Sequence, residues 1–370
     1  MASSPAQPRE RELLDAVRGG DERAFAALVE PYRSELHAHC YRMLASTQDA
    51  EDALQEALLR AWRGLARFEG RSSLRSWLYT IATNTCLNAI QRRPKRVLPL
   101  DFAAPSDPHD GPGQPIVESV WIEPYPADRL GLADGYAAPD ARYELRESVE
   151  LAFVAALQHL PANQRAALIL REVLGYSAQE VADALETSVA SINSALQRAR
   201  KTIDERLPDQ TQQANLRTLG DERVREIVES YMAAMARGDV DAVISMLAED
   251  AAWSMPPAAT WYRGLDMLRV FLHVGPLSGH FRWTHRWTWA NGQPAVGGYT
   301  WHEDEQAYLP FALDVLTLEG DRIKEVTAFI ARPPEDHSPE VFERWPDTPV
   351  DAGKVESVFE RFGLPARLEA

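Results

Sequence analysis

Hydrophobic side chains recur every three or four residues along the N-terminal part of the chain, which is the period of an amphipathic helix. Pro31 lies inside the first run, where it predicts a kink, and Pro94 follows the last run. The pattern predicts three helices whose apolar positions are Phe25, Leu28, Val29, Tyr32 and Leu36; Leu54, Leu58, Ala61, Trp62 and Leu65; and Leu74, Trp77, Leu78, Ile81 and Ile90.

Residues 97–141 break this pattern. They contain eight prolines, with glycine and aspartate between them, and carry a net charge of −7. This composition predicts an extended linker that buries little of its own surface. A tryptophan inside a linker usually docks on a folded surface, and this linker holds Val120, Trp121, Ile122 and Tyr125. Helical periodicity returns over residues 142–207, where we expect three or four short helices.

The C-terminal part changes from helical to strand periodicity. A helix beginning near Asp221 is predicted to end at Gly238, and a short helix follows it. In the sequence RWTHRWTW, tryptophans and His285 alternate with polar residues, as in a half-buried strand. The sequence YLPFALDVLTLEGDRIKEVTAFIA predicts two more strands joined near Gly320. Helices followed by antiparallel strands indicate an α+β domain.

The composition narrows the class of protein. The chain has 370 residues, of which 45% are hydrophobic and 25% are charged, as in a folded protein of two or three domains. No apolar run is long enough to predict a membrane span, and the N-terminus lacks the apolar core of a secretory signal. Only Cys40 and Cys86 are present, which excludes a disulfide scaffold. We therefore expect a cytoplasmic protein.

The charge distribution points to a nucleic-acid partner in spite of the acidic total. The net charge is −16, but residues 1–96 carry +3, and residues 67–96 hold seven lysines and arginines against a single glutamate. Residues 208–370 carry −11. A basic stripe in an acidic protein is an electrostatic footprint for an anionic polymer.

Residues 177–203 fit a helix-turn-helix. Ala182 is the small residue at the crossing of the two helices, Glu186-Thr187-Ser188 forms the turn, and Ile192 and Leu196 face inward on the second helix. The turn normally favours glycine where Glu186 stands. The outward residues can bind base edges or phosphates, with the cations favouring phosphates: Ser191, Asn193, Ser194, Gln197, Arg198, Arg200 and Lys201. An amphipathic helical hairpin with a solvated polar face is the alternative.

The longer sequence LPANQRAALILREVLGYSAQEVADALETSVASINSALQRARK resembles region four of the extracytoplasmic-function (ECF) sigma factors of the sigma-70 family, which reads the minus-35 promoter element. DERAFAALVEPYRSELHAHCYRML and DAEDALQEALLRAW resemble region two, and RFEGRSSLRSWLYTIATNTCLNAIQRR resembles the part that opens and reads the minus-ten element. Residues 217–332 resemble a SnoaL-like domain of the nuclear-transport-factor-2-like fold. The expected fold is therefore two all-α sigma domains, 1–96 and 142–207, joined by the linker 97–141 and followed by a cone-shaped α+β domain, 208–332, and a tail, 333–370.

The resemblance assigns partners and residues. It implies binding to core RNA polymerase, at the clamp helices of the largest subunit, through Asp52, Gln55 and Glu56. A solvated acidic face is the alternative for these three. It also implies promoter DNA as a partner and routes the acidic linker through the polymerase cleft. The expected minus-ten contacts are Arg71, Arg75, Tyr79, Asn84, Asn88, Arg92 and Arg93.

The C-terminal domain has a candidate ligand pocket for an unknown small molecule, lined by Trp253, Trp261, Trp283, His285, Trp287, Tyr299 and Asp314. His285 and Asp314 would form an acid–base pair if they met. No family catalytic pair matches, so we expect no catalytic residue, cofactor or metal. The hypothesis is intramolecular regulation, in which residues 208–370 restrain the sigma domains and the tail acts as a latch. A helix-turn-helix regulator that never uses polymerase and a SnoaL-like enzyme are the alternatives.

Overall fold

The structure is a computed structural model that describes residues 8–70, 72–111, 116, 120–130, 146–331 and 359–369. The chain divides into two units, each with its own set of backbone contacts. The first unit combines Met1–Arg96 with Asp128–Leu207, and the second combines Val97–Ala127 with Pro208–Ala370. The chain therefore leaves the first unit after Arg96, contributes to the second, and returns.

Five helices are described over residues 8–90, in the first half of the first unit. They are α1 (Pro8–Arg18), α2 (Glu22–Val29), α3 (Arg33–Leu44), α4 (Thr47–Gly64) and α5 (Leu74–Ile90). The side chains of Asp21, Ser46 and Ser73 cap the N-termini of α2, α4 and α5. Pro31 lies in a 3-10 turn, Glu30–Tyr32, that separates α2 from α3, so the interruption expected at this proline is present.

Four helices follow one another over residues 151–204, in the second half of this unit. They are α6 (Leu151–Gln158), α7 (Ala162–Leu168), α8 (Ala178–Ala184) and α9 (Val189–Asp204), with a π-helical turn, Ile169–Val173, after α7. Ser177 and Glu180 form a reciprocal capping box at the start of α8. Ser188 caps α9 by accepting a hydrogen bond from the Ser191 amide, as expected for its place after the turn.

The two halves of the first unit share one core, because α3 packs on α6 and α7, and α5 packs on α7. Two buried arginines cross this contact. Arg42 on α3 donates to the Ser148 hydroxyl at 2.7 Å, and Arg165 on α7 donates to the backbone carbonyls of Met43 and Leu160. Both guanidinium groups are therefore hydrogen-bonded across or beside the contact, as buried cations need to be.

The second unit is an α+β structure. Its helices are α10 (Gln212–Leu219), α11 (Asp221–Arg237), α12 (Val240–Met246) and α13 (Leu265–Val274). Its strands are β1 (Leu247–Ser254), β2 (Trp261–Arg263), β3 (Trp283–Ala290), β4 (Gln293–His302), β5 (Ala307–Glu319) and β6 (Arg322–Ile330). They form one sheet in the order β2-β1-β6-β5-β4-β3, in which β1 and β6 are parallel and the other neighbours are antiparallel.

The core of this unit lies between α11, α12, α13 and the sheet. Val228 and Tyr231 on α11 and Leu272 on α13 are almost fully buried against strand residues such as Trp253 and Leu316. α10 is held to the sheet by polar contacts, since the Gln212 side chain both donates to the carbonyl and accepts from the amide of Leu318, each at 2.8 Å.

The proline-rich segment after Arg96 belongs to the second unit as far as Ala127. It forms a helical turn, Pro99–Phe102, and a 3-10 turn, Pro108–Asp110. The expected docking of Trp121 is present: its side chain is buried, and Ile122 and Tyr125 are fully buried. The Tyr125 amide donates to the Asn291 side chain at 2.8 Å, which fixes the segment to the turn between β3 and β4.

The described part of the tail packs on the sheet of its own unit. Leu368 pairs with Tyr308 on β5, and the Tyr299 hydroxyl donates to the Pro365 carbonyl at 2.8 Å. Phe359 and Leu364 are buried over Gly297, where a Cβ atom would lie 2.6 Å from a Leu364 methyl group. Residues 332–358, which include Trp345, lie outside the described residues, and the latch hypothesis stays a hypothesis.

Candidate functional site

The seven outward residues predicted on the second helix of the helix-turn-helix all lie on α9 and are all exposed. Ile192, Leu196 and Ala199 on the opposite side are buried. α8 ends in a Schellman motif in which the Thr187 amide donates to the Ala182 carbonyl at 2.9 Å. Glu186 occupies the left-handed position of that motif, with φ of 51°, which is the reason this position normally favours glycine.

Polar and charged residues are separated along α9. Ser191, Asn193, Ser194 and Gln197 form an uncharged surface at the N-terminal end, and the cations follow toward the C-terminus. Arg200 forms an ion pair at 2.5 Å with Glu172, which is a residue of the π-helical turn. The N-terminal end therefore offers groups that read base edges, while the C-terminal end offers positive charge for phosphates.

The minus-ten candidates of α5 differ in their accessibility. Arg75 is half-buried and makes a bidentate ion pair with Glu35 on α3, with contacts of 2.7 to 3.0 Å. Tyr79 is fully buried beneath it, with the Arg75 guanidinium 4.8 Å from its ring centre. Tyr79 also packs edge-on against Tyr176 of the region 4 half, with ring centres 6.0 Å apart, so its ring is covered in this conformation and its contact with DNA stays a prediction. Arg71 lies outside the described residues.

The remaining minus-ten candidates lie at the end of α5. Asn84 is half-buried, whereas Asn88 and Arg92 are exposed. Arg93 pairs with Asp49, a buried carboxylate at the start of α4 that also accepts from Arg96 at 2.8 Å. The buried Asp49 carboxylate therefore pairs with two arginines, and in this conformation Arg93 is engaged in an ion pair within its own unit.

The expected polymerase-binding residues lie along one side of α4. Asp52 and Gln55 are exposed, and Glu56 is half-buried and pairs with Arg60 at 2.7 Å. Leu59 follows Asp52 by seven residues and Gln55 by four, so it shares their side of the helix, and it is 51% exposed. Sequence reasoning missed Leu59, because it reads as one more apolar position beside the buried Leu58.

The two sets of region-two candidates adjoin each other. Asp52 and Glu56 on α4 line the same surface depression of 400 Å³ as Asn88, Arg92 and Arg93 at the end of α5. The α4 wall of the depression carries three carboxylates and Arg60, and the wall at the end of α5 carries Arg92 and Arg93. Residues that the sequence assigns to polymerase and to DNA thus lie side by side.

The second unit contains a cavity of 480 Å³. Of the seven residues predicted to line it, Trp253, Trp283, His285 and Asp314 do so. The other three are engaged elsewhere. Trp261 donates to the Ala103 carbonyl, Trp287 packs against the core, and Tyr299 packs on Phe359 of the tail.

Asp314 and His285 are the buried titratable groups of this cavity. Asp314 accepts a hydrogen bond from the Tyr231 hydroxyl at 2.8 Å. Burial raises the pKa of Asp314 to about 7, in spite of this hydrogen bond, and burial lowers the pKa of His285 to about 4. The partner of Asp314 is thus Tyr231, and His285 Nδ1 is buried with no hydrogen-bond partner among the described residues.

Sequence reasoning missed the partner of Asp314 and one part of the cavity wall. Tyr231 lies on the buried side of α11, and its hydroxyl, like that of most buried tyrosines, needs a hydrogen-bond partner. Pro108, His109 and Gly111 of the proline-rich segment also line the cavity, and the Tyr262 hydroxyl donates to the Gly111 carbonyl at 3.3 Å. A linker composition gave no sign of a role in a cavity wall.

Comparison with known proteins assigns the chain. Models of Sigma-70 region 2, Sigma-70 region 4 and a SnoaL-like domain match residues 28–96, 150–203 and 228–326. The ECF RNA polymerase sigma factor SigG of Mycobacterium tuberculosis is 42% identical over 323 residues, which are 86% of this chain and 84% of SigG. The chain belongs to the ECF RNA polymerase sigma factors. In this ECF sigma factor the region 2 match covers α3 to α5, and the region 4 match covers α6 to α9.

Two further relatives agree with this assignment. The RNA polymerase sigma-H factor of Pseudomonas aeruginosa is 31% identical over 201 residues, which are 54% of this ECF sigma factor and 95% of the relative. The crystal structure of the extracytoplasmic function sigma factor SigJ of Mycobacterium tuberculosis shares the fold, with a TM-score of 0.53 at 23% identity, over 85% of this chain and 99% of that one. Over the residues described here, none of the helices has the length and apolar character needed to cross a membrane.

Proposed function

We propose that this ECF sigma factor binds core RNA polymerase, directs it to promoters and helps to melt them, and that its SnoaL-like unit is a built-in regulator. The observation that carries the proposal is the exposed polar side of α9, which holds all seven residues predicted to contact DNA. The opposite side of this helix is buried, and its N-terminus is capped.

The side of α9 has the chemistry that minus-35 recognition requires. Hydroxyl and amide groups at its N-terminal end both donate and accept, so they suit base edges in the major groove. Arg198 and Lys201 follow on the exposed side and suit phosphates. Arg200 would have to exchange Glu172 for a phosphate oxygen.

The side of α4 suits the clamp helices of the largest polymerase subunit. A single exposed leucine is common on protein surfaces and proves little by itself. Leu59, however, lies on the side of α4 that carries Asp52 and Gln55, to which the resemblance assigns this contact. An apolar side chain ringed by polar ones is the usual arrangement of a docking surface.

Promoter binding requires the two sigma regions to separate. The minus-35 and minus-ten elements are roughly 25 base pairs apart, which is on the order of 80 Å of duplex at 3.4 Å per step. In this conformation α3 of region 2 packs directly on α6 and α7 of region 4. The conformation described here is therefore a closed one, and Arg42 and Arg165 are among the contacts that opening breaks.

The SnoaL-like unit supports regulation through the connection between the regions. Val97–Ala127, the first part of the connection from region 2 to region 4, belongs to the second unit, and its described residues include the buried Trp121, Ile122 and Tyr125. That unit also carries most of the negative charge, with −11 over residues 208–370, which repels DNA. Passage of the acidic segment through the polymerase cleft would require its release from the sheet.

The test is core binding and promoter-directed transcription by the full chain, on a promoter from its own upstream region. We expect initiation by the full chain, and core binding weaker by about tenfold or more for Leu59→Asp. Met267→Asp is the matched control, because Met267 is also an exposed apolar helix residue, 43% exposed, but lies on α13 of the other unit.

Each outcome discriminates between functions. Equal core binding by Leu59→Asp and the wild type would show that α4 is not the docking surface. A chain that binds promoter DNA without binding core would be a helix-turn-helix regulator. Turnover of a small molecule by the second unit would favour the SnoaL-like enzyme.

A further inference from the structure

A carboxylate outside the expected polymerase contacts lies directly beside them on α4. Glu51 precedes Asp52 in the sequence and lies one helical turn before Gln55. Both of its oxygens accept hydrogen bonds: Gln55 Nε2 donates to Oε1 at 3.3 Å, and Arg129 Nη1 donates to Oε2 at 2.8 Å. Glu51 therefore joins an expected polymerase contact to an arginine from another part of the chain.

Arg129 comes from the connection between region 2 and region 4. It lies in a 3-10 turn, Ala127–Leu130, at the point where the chain returns to the first unit. Its Nη1 atom also lies 3.1 Å from Nε2 of His37, a buried residue of α3. Burial, followed by the charge of Arg129, lowers the pKa of His37 to about 4, so His37 is neutral at pH 7 and can accept a hydrogen bond. The guanidinium group thus has a charged partner on α4 and a neutral one on α3.

This contact shows what kind of group the edge of α4 accepts. Asp52 and Glu56 follow Glu51 along the same helix, which makes this part of the surface complementary to a cation. The Arg129 side chain is 38% exposed and that of Glu51 is 31% exposed, so the pair is partly open to water and another cation can replace Arg129 at modest cost. While Arg129 is bound, a basic partner would have to compete for the same oxygen of Glu51.

We propose that Glu51 is part of the polymerase-docking surface of α4, where it binds a lysine or arginine of core RNA polymerase, and that Arg129 of the connection occupies this place in the closed conformation. Resting on the proposed function, this adds a residue and an intramolecular competitor to that surface. Core polymerase and the connection compete for one carboxylate. Docking of core therefore favours release of Arg129 from α4.

Removal of the competitor is the first test. The full chain with Arg129→Gln should bind core RNA polymerase about three- to fivefold more tightly than the wild type, which is the worth of one partly exposed ion pair. Arg129→Lys keeps the cation and should bind core as the wild type does. Arg223→Gln is the matched control, because Arg223 on α11 also pairs with carboxylates, Glu226 and Asp321, but lies in the second unit.

A double-mutant cycle tests Glu51. With Arg129→Gln in place, Glu51→Gln should weaken core binding about tenfold, because it removes the partner of the polymerase cation and no competitor remains to be released. In a Glu51→Gln chain, Arg129→Gln should bring no gain, since the arginine has lost the carboxylate for which it competes. The gain from Arg129→Gln in the wild-type background should also shrink at high salt, which screens ion pairs.

His37 reports the contact in the absence of polymerase. Arg129→Gln should raise the pKa of His37 from about 4 toward its ordinary value of about 6.5, because a nearby positive charge is lost. NMR titration of the histidines of the full chain measures this shift, and urea unfolding shows whether each variant is folded. An unchanged titration of His37 would show that Arg129 is not held on α4, which would overturn the competition.

Core binding separates the remaining outcomes. Binding by a folded Arg129→Gln chain that is equal to or weaker than that of the wild type would overturn the competition. Equal binding by the Arg129→Gln chain with and without Glu51→Gln would overturn the assignment of Glu51. A wild-type chain that does not bind core would instead be a failure of the proposed function, and the competition would fall with it.

Discussion

Burial changes the chemistry of Asp314 and His285 in opposite directions. Both side chains lie in one apolar cavity, where the neutral form of each group is favoured. The pKa of Asp314 is raised to about 7 and that of His285 is lowered to about 4. The sequence analysis listed both residues for a pocket and allowed that they would pair if they met, but it did not identify Tyr231, whose hydroxyl donates to Asp314.

Replacement of Asp314 by asparagine should flatten the pH dependence of stability. The folded pKa of Asp314 lies above the unfolded value of about 4, so between these values the folded state binds more protons, and its stability falls as pH rises toward 7. His285 acts in the opposite sense between about 4 and 6.5. Above pH 7, Asp314→Asn should therefore have a higher free energy of unfolding than the wild type. Urea unfolding followed by tryptophan fluorescence measures this difference.

A gain that is the same at pH 5 and pH 8 would contradict this assignment, because it would not come from ionisation of the carboxyl group. Asp250→Asn is the control for the general effect of removing a carboxylate, since Asp250 lies exposed beside Lys324.

The backbone conformation of Glu186, and not a contact of its side chain, decides how this residue affects the stability of the first unit. Its φ of 51° lies in the left-handed region, which a side chain disfavours by about 1–2 kcal/mol. Glu186→Gly should stabilise the first unit by about 0.5–1 kcal/mol, after the larger entropy of glycine in the unfolded chain is subtracted. Thermal unfolding followed by circular dichroism at 222 nm measures it. Glu186→Ala keeps the Cβ atom and should bring no gain.

The regular elements followed from periodicity, and the irregular ones did not. The helix over Leu74–Ile90 and the strand over Trp283–Ala290 were predicted, because each repeats its apolar pattern over several turns or alternations. The seating of residues 359–369 on the sheet was not, because it depends on the absence of a side chain at Gly297 more than sixty residues earlier. Local periodicity carries no information on such a long-range fit.

Gly297→Val should release the tail from the sheet. A Cβ atom at Gly297 would lie 2.6 Å from a methyl group of Leu364 and 3.1 Å from the ring of Phe359, closer than packed carbon atoms approach. We expect residues 359–369 to be cleaved at least about tenfold faster by a protease at low concentration, since local opening governs such cleavage. Gly298→Ala is the neighbouring control, with its closest contact at 3.4 Å. Equal cleavage of both variants would show that the tail is held elsewhere.

At the scale of the whole molecule, the connection between region 2 and region 4 belongs to the SnoaL-like unit. The sequence indicated where this segment begins, its acidity and the docking of Trp121, but an open, proline-rich composition does not specify which surface receives it. That surface is made by Trp261 and Asn291, far along the chain. On the proposed function, we expect opening of the sigma regions to be coupled to release of this segment.

A disulfide between the segment and the sheet should block initiation reversibly. Pro126 and Ala290 face each other in an antiparallel bridge, where Cα atoms lie roughly 4.5–5.5 Å apart, within the range a disulfide spans. The Pro126→Cys/Ala290→Cys chain should lose most of its promoter-directed transcription when oxidised and regain it on reduction. The oxidised wild type, whose Cys40 and Cys86 are buried, is the control. Full activity of the oxidised double variant would mean that the segment stays docked during initiation.

During synthesis of the chain, the segment is made well before the part of the sheet on which it docks. Tyr125 leaves the ribosome 166 residues before Asn291, the residue that holds it. At about 5–20 residues per second, that is a delay of roughly 10–30 s. Both sigma regions are complete before the delay ends, while the sheet that receives their connection is still being translated. If the C-terminal unit regulates the sigma regions as proposed, each newly made molecule passes through a short period in which both sigma regions are complete and that regulation is not yet in place.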